Sequence, residues 1–204
     1  MSLNLFLDLD RTLFRTSELD EAEWGLLGRQ FGIDSEAELA RRTDFHVRTE
    51  KAYYYDFAAH VRAAGLGEEA VFAFLLQSTL ADGRMEYDEV AELVAWARQR
   101  GSVSVLTYGP KDYQQFKAAL CPSLKEVEII TTLQPKGDYF REQCPTDEVW
   151  MVDDKPIGGD LPDGVRFIQT AEYNSIAAPE HPAWPVATAL SQIPEIVDGY
   201  KLSN

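Results

Sequence analysis

Four short polar segments carry the types of side chain that handle phosphate groups and divalent metal ions. They are DLDRTLF (8–14), VLTYG (105–109), PKGD (135–138) and MVDDK (151–155). Two segments supply pairs of aspartates, and the other two supply a threonine hydroxyl and a lysine. Carboxylates held close together repel each other unless a cation lies between them, and Mg²⁺ prefers oxygen ligands. The set therefore predicts a magnesium site suited to phosphoryl transfer.

Each segment alone also has an ordinary structural explanation. Both aspartate pairs could serve turns or helix N-caps. Thr107 could simply end a strand, and Lys136 could be a solvated surface residue. All four segments, however, lie where a predicted strand ends or the next helix begins. One shared site explains this placement better than four coincidences do.

The elements that must position these residues can be read from apolar runs. Short apolar runs of this kind are typical of buried parallel strands. They are Leu3–Leu7, Val103–Thr107, Val127–Thr132, Val149–Val152 and Val165–Gln169. Helical patterns lie between several of them, namely Tyr87–Arg100, Lys111–Leu120 and Asp138–Gln143. This alternation predicts an α/β fold, a doubly wound parallel sheet whose strand ends carry the ligands.

The stretch between the first two strands is too long for a single crossover and is rich in helix formers. Predicted helices in it are Glu18–Phe31, Glu36–Arg42, Phe45–Ala64 and Glu68–Leu80. We therefore predict an α/β core formed by 1–14 and 86–204 and a small all-helical cap domain over 15–85. Prolines 179, 182 and 185 interrupt the tail, and a last helix is predicted over Val186–Val197.

Composition limits the possible partners. The chain has 34 acidic and 19 basic residues and a net charge of −15, which argues against nucleic acid. No apolar run approaches the ~18 residues that a membrane span needs, and no signal peptide is evident. Cys121 and Cys144 are expected to be reduced thiols. These features predict a cytoplasmic protein without a membrane partner.

The four segments, in this order and at these intervals, resemble the four motifs of the haloacid dehalogenase (HAD) superfamily of phosphotransferases. DLDRT resembles the first motif, Thr107 the second, Lys136 the third and the pair Asp153-Asp154 the fourth. The resemblance covers the core from Leu3 to about Gln169. The insert lies where this superfamily carries its C1 type of cap. The resemblance thus implies a Rossmann-like core with a helical C1 cap.

The resemblance also implies a role for each motif residue. Asp8 would be the nucleophile that forms an aspartyl-phosphate. Asp10 would act as general acid and then as general base. Thr107 would hold a phosphoryl oxygen, and Lys136 would neutralise its charge.

For the metal, the resemblance implies Mg²⁺ bound by Asp8, by the backbone carbonyl of Asp10, and by Asp153 or Asp154. The sequence leaves open which of the two adjacent acids binds directly. Many relatives carry a further acid on a helix after the fourth motif, and Asp160 is the candidate here.

Three residues bear on substrate recognition. Arg11 is a bulky cation where the family often has something small or neutral. It could approach an anionic substrate or pair with a cap carboxylate, and we expect the latter. His46 and Arg48 are the best candidates for substrate contacts from the cap.

These features together predict a Mg²⁺-dependent phosphatase that acts on a small phosphorylated metabolite. Two alternatives stay open: a catalytically inactive binding protein on the same scaffold, and a phosphomutase-type phosphotransferase. Family members that break carbon–halogen bonds lack an acid at the position of Asp10 and need no metal, so a dehalogenase is disfavoured. The sequence names neither the substrate nor the oligomeric state.

Overall fold

The structure, a computed structural model, describes residues 2–49, 53–143, 148–170 and 184–201. Three residues named above, Cys144, Pro179 and Pro182, lie outside these ranges.

The core is a six-stranded sheet. Its strands are β1 (Leu3–Leu7), β4 (Gly101–Tyr108), β5 (Glu128–Thr132), β6 (Glu148–Asp153), β7 (Val165–Thr170) and β8 (Val186–Ala187). They lie in the order β5-β4-β1-β6-β7-β8, and every neighbouring pair is parallel. The helices that follow or precede them are α5 (Val90–Arg98), α6 (Lys111–Ala119), α7 (Lys136–Gln143) and α8 (Ile193–Lys201). The predicted doubly wound α/β fold is confirmed.

Strand β1 lies at the centre of the sheet because most of its side chains are apolar. Leu3, Leu5 and Leu7 are fully buried and belong to the main hydrophobic core. β4 and β5 add to one side of β1, and β6, β7 and β8 add to the other. The direction of winding therefore reverses at β1, which is where open α/β sheets form a crevice for ligands.

The insert between β1 and α5 is mainly helical but not entirely so. Its helices are α1 (Thr16–Phe31), α2 (Ser35–Ala40), α3 (Phe57–Ala63) and α4 (Glu68–Leu76), and 3₁₀ turns cover Arg42–Phe45 and Thr79–Asp82. A short antiparallel ribbon of β2 (His46–Arg48) and β3 (Tyr53–Tyr55) interrupts them.

The helix predicted over Phe45–Ala64 is therefore wrong in its first half. Adjacent tyrosines at 53–55 favour strand over helix. The helix starts only after Asp56, whose carboxylate caps it by accepting a hydrogen bond from the Ala59 N–H at 2.9 Å.

Aromatic packing joins the insert to the sheet. The Phe57 ring stacks on Tyr113 of α6 with centroids 4.7 Å apart, and Phe72 meets Phe116 at 5.4 Å. These residues belong to, or pack against, the same hydrophobic core as β1. The insert is thereby anchored over the ends of the strands, while its exact domain boundaries stay a prediction.

The two connections between insert and core hydrogen-bond to each other. The Arg15 N–H donates to the Met85 carbonyl at 2.8 Å, and the Tyr87 N–H donates to the Leu13 carbonyl at 3.0 Å. The chain thus leaves and re-enters the core side by side.

The last helix begins later than predicted, at Ile193, because Val186–Ala187 pairs with β7 as an edge strand. Pro194 is accommodated in the first turn of α8, where its missing N–H leaves no helical hydrogen bond unmade. Among the described helices, none combines the length and the apolar character that a bilayer crossing requires.

Candidate active site

The predicted site residues come from four strand ends on one edge of the sheet. Asp8 follows β1, Thr107 lies near the end of β4, Lys136 begins α7 after β5, and Asp153 ends β6. Because all these strands are parallel, their carboxyl ends meet at the same edge.

Three of the acids form a compact buried cluster. Asp8, Asp153 and Asp154 each offer one carboxylate oxygen, and these oxygens lie within 4.8 Å of one another. The three residues are nearly inaccessible to solvent, at 5%, 2% and 5% exposure. We call this group the acid cluster.

Lys136 supplies a positive charge inside the acid cluster. Its Nζ lies 2.5 Å from Asp8 Oδ1 and 2.5 Å from Asp153 Oδ2. Burial alone would lower the pKa of this lysine, but the Asp153 and Asp8 carboxylates raise it above its ordinary value. Lys136 is therefore an ammonium ion that ties β1 to β6.

The acid cluster fits a divalent cation. Its carboxylates bring up to three negative charges and Lys136 brings one positive charge, which leaves an excess that Mg²⁺ would balance. Burial raises the pKa of Asp8, Lys136 opposes that rise, and the carboxylates of Asp153 and Asp154 add to it. Three closely spaced, buried carboxylate oxygens are the hard ligand set that Mg²⁺ takes.

A glycine lets α7 approach closely enough to deliver Lys136. A Cβ atom on Gly137 would lie only 2.1 Å from the backbone oxygen of Asp160. Asp160, the candidate second acid, lies in the 3₁₀ turn at 158–160 and is not a member of the acid cluster. It lines a neighbouring part of the same cleft.

The Asp10 carboxylate is engaged by a different set of residues. Lys117 Nζ lies 2.5 and 2.6 Å from its two oxygens, and Thr16 Oγ1 and Gln114 Nε2 donate to it at 2.7 and 3.1 Å. Burial would raise the pKa of Asp10, but Lys117 and the other donors hold it below its ordinary value. The carboxylate does not join the acid cluster, and metal binding by its backbone carbonyl stays a prediction.

Thr107 is fully buried behind this arrangement. Its hydroxyl donates to Gln114 Oε1 at 3.2 Å, and Gln114 in turn donates to Asp10. Its neighbour Tyr108, rather than Thr107, lines the cleft. The predicted contact between the Thr107 hydroxyl and a phosphoryl oxygen stays a prediction.

Two connected cavities open at this edge. The first, here the acid cavity, has a volume of about 270 Å³, and its polar wall includes Asp8, Lys136 and Asp153. The second, here the tyrosine cavity, has a volume of about 200 Å³. Its wall contains the tyrosines Tyr53, Tyr54, Tyr55, Tyr108 and Tyr113. Four residues line both cavities, namely Asp10, Tyr53, Tyr108 and Lys155.

The cap contributes one of its two predicted contact residues to the tyrosine cavity. His46 is on the wall, whereas Arg48 is not among the described residues that line it. Arg42 lies there instead, where it pairs with Asp20 at 2.8 Å and stacks over the Tyr55 ring at 4.2 Å. Burial raises the pKa of Asp20 to about 6, against the effect of Arg42.

Arg11 also lines the tyrosine cavity, and its backbone has a positive φ of 62°. The expected ion pair with a cap carboxylate is not found among the described residues, where Asp20 pairs with Arg42 instead. The left-handed conformation turns the chain sharply just after Asp10, and a small residue adopts it more easily.

The residues that bind the Asp10 carboxylate are not among those predicted from the sequence. A signal was available: Gln114 and Lys117 are three residues apart on the helix that directly follows Thr107, so they share one face. Both are buried although they are polar. Buried polar side chains in such a position imply a partner, which here is the carboxylate of Asp10.

The chain is similar to known proteins in structure rather than in sequence. No protein-family model matches the sequence, and no curated protein gives a significant match. Solved structures do match. A haloacid dehalogenase-like hydrolase from Burkholderia xenovorans LB400 is 17% identical, with a TM-score of 0.70 and 98% of each chain covered.

Two further matches have a bound ion. The HAD-hydrolase YfnB from Bacillus subtilis, bound to magnesium, is 16% identical with a TM-score of 0.60, over 97% of this chain and 99% of that one. CbbY from Rhodobacter sphaeroides, in complex with phosphate, is 18% identical with a TM-score of 0.60, over 97% and 100%. These likenesses extend over nearly the full length, insert included. The chain therefore has the fold of the haloacid dehalogenase-like hydrolases.

Proposed function

We propose that this protein is a Mg²⁺-dependent phosphatase that hydrolyses a small phosphomonoester through an aspartyl-phosphate on Asp8. The observation that carries the proposal is the buried contact of Lys136 with both Asp8 and Asp153, beside Asp154, at the strand ends. A merely structural salt bridge would need one carboxylate, and this site has three.

Asp8, Asp153 and Asp154 are the side chains that would hold Mg²⁺. The fit of charge and ligand type described above supports this assignment, as does the magnesium bound by YfnB. When bound, Mg²⁺ would neutralise charge on the phosphoryl oxygens.

Asp8 would be the nucleophile that attacks phosphorus. One of its oxygens forms the new bond to phosphorus while the bond from phosphorus to the ester oxygen breaks. Lys136 lowers the pKa of Asp8 against the rise that burial causes and orients its carboxylate, and its ammonium offsets the negative charge that otherwise repels a carboxylate from a phosphate. The phosphoryl group would occupy the acid cavity, which Asp8 lines.

Asp10 would transfer the protons in both steps of the reaction. Lys117 holds its carboxylate ionised, which is the form that takes a proton from the water that hydrolyses the aspartyl-phosphate. The proton that Asp10 takes from this water in one turnover would be the proton that it donates to the leaving oxygen, as the ester bond breaks, in the next turnover. Asp10 lines both the acid cavity, proposed for the phosphoryl group, and the tyrosine cavity, proposed for the rest of the substrate.

The tyrosine cavity suits the leaving group of a small molecule. The cap supplies Tyr53, Tyr54 and Tyr55, and the core supplies Tyr108 and Tyr113, so the substrate would be enclosed by both domains. Such enclosure limits substrate size and excludes water from the labile acyl phosphate. The predicted cytoplasmic location is retained as part of this proposal.

The test is phosphate release from a panel of phosphomonoesters with Mg²⁺ present. We expect turnover by the wild type and loss of turnover in Asp8→Asn, with both proteins folded by circular dichroism. Asp163→Asn, a change of the same kind at an exposed turn, is the matched control and should stay active. Full turnover by Asp8→Asn would refute the assignment of the nucleophile.

The same material separates the alternative functions. Thermal stabilisation by Mg²⁺ with beryllofluoride, a phosphoryl mimic, tests whether the site binds a phosphoryl group at all. Stabilisation without hydrolysis of any ester would favour a phosphomutase-type transfer. Neither stabilisation nor hydrolysis would favour a binding protein.

A further inference from the structure

We propose that the substrate carries a second anionic group, a carboxylate or a second phosphate, and that Arg11 and Lys155 bind it at the tyrosine cavity. This inference rests on the proposed function and names the substrate class for the same site.

Four cations and three acids line the tyrosine cavity, and one of the acids, Asp154, belongs to the acid cluster assigned to the metal. The other two acids, Asp10 and Asp20, leave two of the cations over. Lys117 is neutralised by Asp10 at 2.5 and 2.6 Å, and Arg42 is neutralised by Asp20 at 2.8 Å. Arg11 and Lys155 also line this cavity, and within the described part of the chain neither side chain makes an ion pair. In a protein with a net charge of −15, two uncompensated cations on one cleft wall point to an anionic ligand.

The backbone of Arg11 supports a role for its side chain. A φ of 62° is unfavourable for any residue with a Cβ atom and costs nothing for glycine. Strained residues of this kind concentrate at ligand sites, where the side chain repays the strain. Arg11 is exposed on the cavity wall, and its guanidinium has the planar fork that matches carboxylate and phosphate oxygens.

Lys155 is held at the border between the two cavities. Its backbone N–H donates to Asp153 Oδ1 at 2.9 Å, which fixes the residue beside the acid cluster, and its side chain lines both cavities. A single molecule with its reacting phosphate at Asp8 would therefore extend past Lys155 toward Arg11. Lys136 would neutralise the charge of the reacting phosphate, so Arg11 and Lys155 are available to bind an anion at the far end of the substrate.

The experiment compares aryl phosphates that differ only at the far end of the ring. Phenyl phosphate has no second charge, para-carboxyphenyl phosphate and hydroquinone bisphosphate have a second anion, and para-(aminomethyl)phenyl phosphate has a cation. The quantity measured is the kcat/KM ratio of each charged ester to phenyl phosphate. Because the substituent also changes the reactivity of the ester, the test is how this ratio changes between the wild type and its variants.

We expect the wild type to prefer the anionic esters by about tenfold, mainly through KM. Arg11→Gln and Lys155→Gln should each reduce the preference by about threefold, and raised ionic strength should reduce it in the wild type. Arg29→Gln is the control, since it removes the same charge from the exposed last turn of α1, about 14 Å along that helix from Asp20, which lines the cleft. Arg11→Gly removes the cation and relieves the strained φ, so a folding defect would not mask the result.

The outcomes separate this inference from the proposed function. Hydrolysis of all four esters with a ratio that Arg11→Gln and Lys155→Gln leave unchanged would overturn the inference and leave the phosphatase standing. A larger effect on the carboxylate or on the bisphosphate would identify which anion the site takes. If no ester is hydrolysed, the proposed function fails, and calorimetry with phenylphosphonate and para-carboxyphenylphosphonate decides the inference: equal affinities overturn it.

Discussion

The pairing of Lys117 with Asp10 makes a quantitative prediction for the variant Lys117→Met. The two groups form a nearly buried pair, with the lysine side chain 3% exposed and the aspartate side chain 26% exposed. The variant removes the ammonium, keeps a side chain of similar length, and leaves the carboxylate without its cation.

The size of the effect follows from the contacts that remain. Removing one partner of a buried ion pair costs about 3–5 kcal/mol. Asp10 keeps the hydrogen bonds from Thr16 and Gln114 and is partly exposed to water, so we expect the lower end, about 3 kcal/mol. For a chain of this size that loss lowers Tm by roughly 6–12 °C.

The assay is a double-mutant cycle by urea unfolding with Lys117→Met, Asp10→Asn and the double variant. We expect a coupling energy of about 2 kcal/mol between the two positions, because each single variant leaves one buried charge unpaired. Lys111→Met, at an exposed position on the same helix, should change stability by no more than about 0.5 kcal/mol.

The pH dependence of the coupling has a definite sign. The pKa of Asp10 is lowered in the folded state, so the stabilisation is present above the ordinary pKa of about 3.9 and is lost only as pH falls further. The coupling should thus be the same at about pH 7 and about pH 5. Additive effects of the two single variants, with a coupling below about 0.5 kcal/mol, would show that the pair is not formed.

Three further predictions test the proton chemistry, a buried acid and the approach of α7. Asp10→Asn should lower kcat/KM by about 10³-fold for an alkyl phosphate, whose leaving oxygen needs a proton, and far less for an aryl phosphate; equal losses would argue against a general acid. Burial and, after it, the carboxylate of Asp20 raise the pKa of Glu23 well above its ordinary value. The folded state therefore holds Glu23 protonated while the unfolded state loses this proton above about pH 4.3, and the protein becomes less stable as pH rises above that value. Glu23→Gln should therefore raise the free energy of unfolding, measured by chemical denaturation, at neutral pH but not at about pH 4. The gain should be about 1.4 kcal/mol for each unit by which folding raises the pKa of Glu23. Glu21→Gln, at an exposed position, should show no such dependence on pH. Gly137→Ala should lower stability by about 1–3 kcal/mol because its Cβ would lie 2.1 Å from a backbone oxygen, whereas Gly159→Ala, with nothing within 4 Å, should unfold in urea like the wild type.

The sheet and its polar strand ends could be predicted because their signals are local. Leu3–Leu7 is observed with the predicted bounds, and the parallel arrangement then brings Asp8, Lys136 and Asp153 together. A buried strand needs apolar residues over its whole length, so its pattern survives in the sequence. The convergence of the acid cluster follows from topology alone.

What could not be predicted depends on contacts between distant segments. The ribbon of His46–Arg48 and Tyr53–Tyr55 consists of short strands whose pairing outweighs the helical spacing of the aromatic residues. The ion pair of Lys117 with Asp10 joins residues 107 positions apart. The sequence shows that Gln114 and Lys117 share a helix face, but their partner is known only once α6 is packed on the sheet. The positive φ of Arg11 belongs to the turn that follows Asp10, and a bulky cation in the sequence gives no sign of that conformation.

The most direct test of the central claim is to trap the intermediate. Wild-type protein would be mixed with Mg²⁺ and a phosphomonoester, quenched with acid, digested and analysed by mass spectrometry. We predict a peptide that carries one phosphoryl group on Asp8 and none on Asp10. Phosphate release at full rate without a phosphorylated Asp8, and with Asp8→Asn as active as the wild type, would contradict the claim.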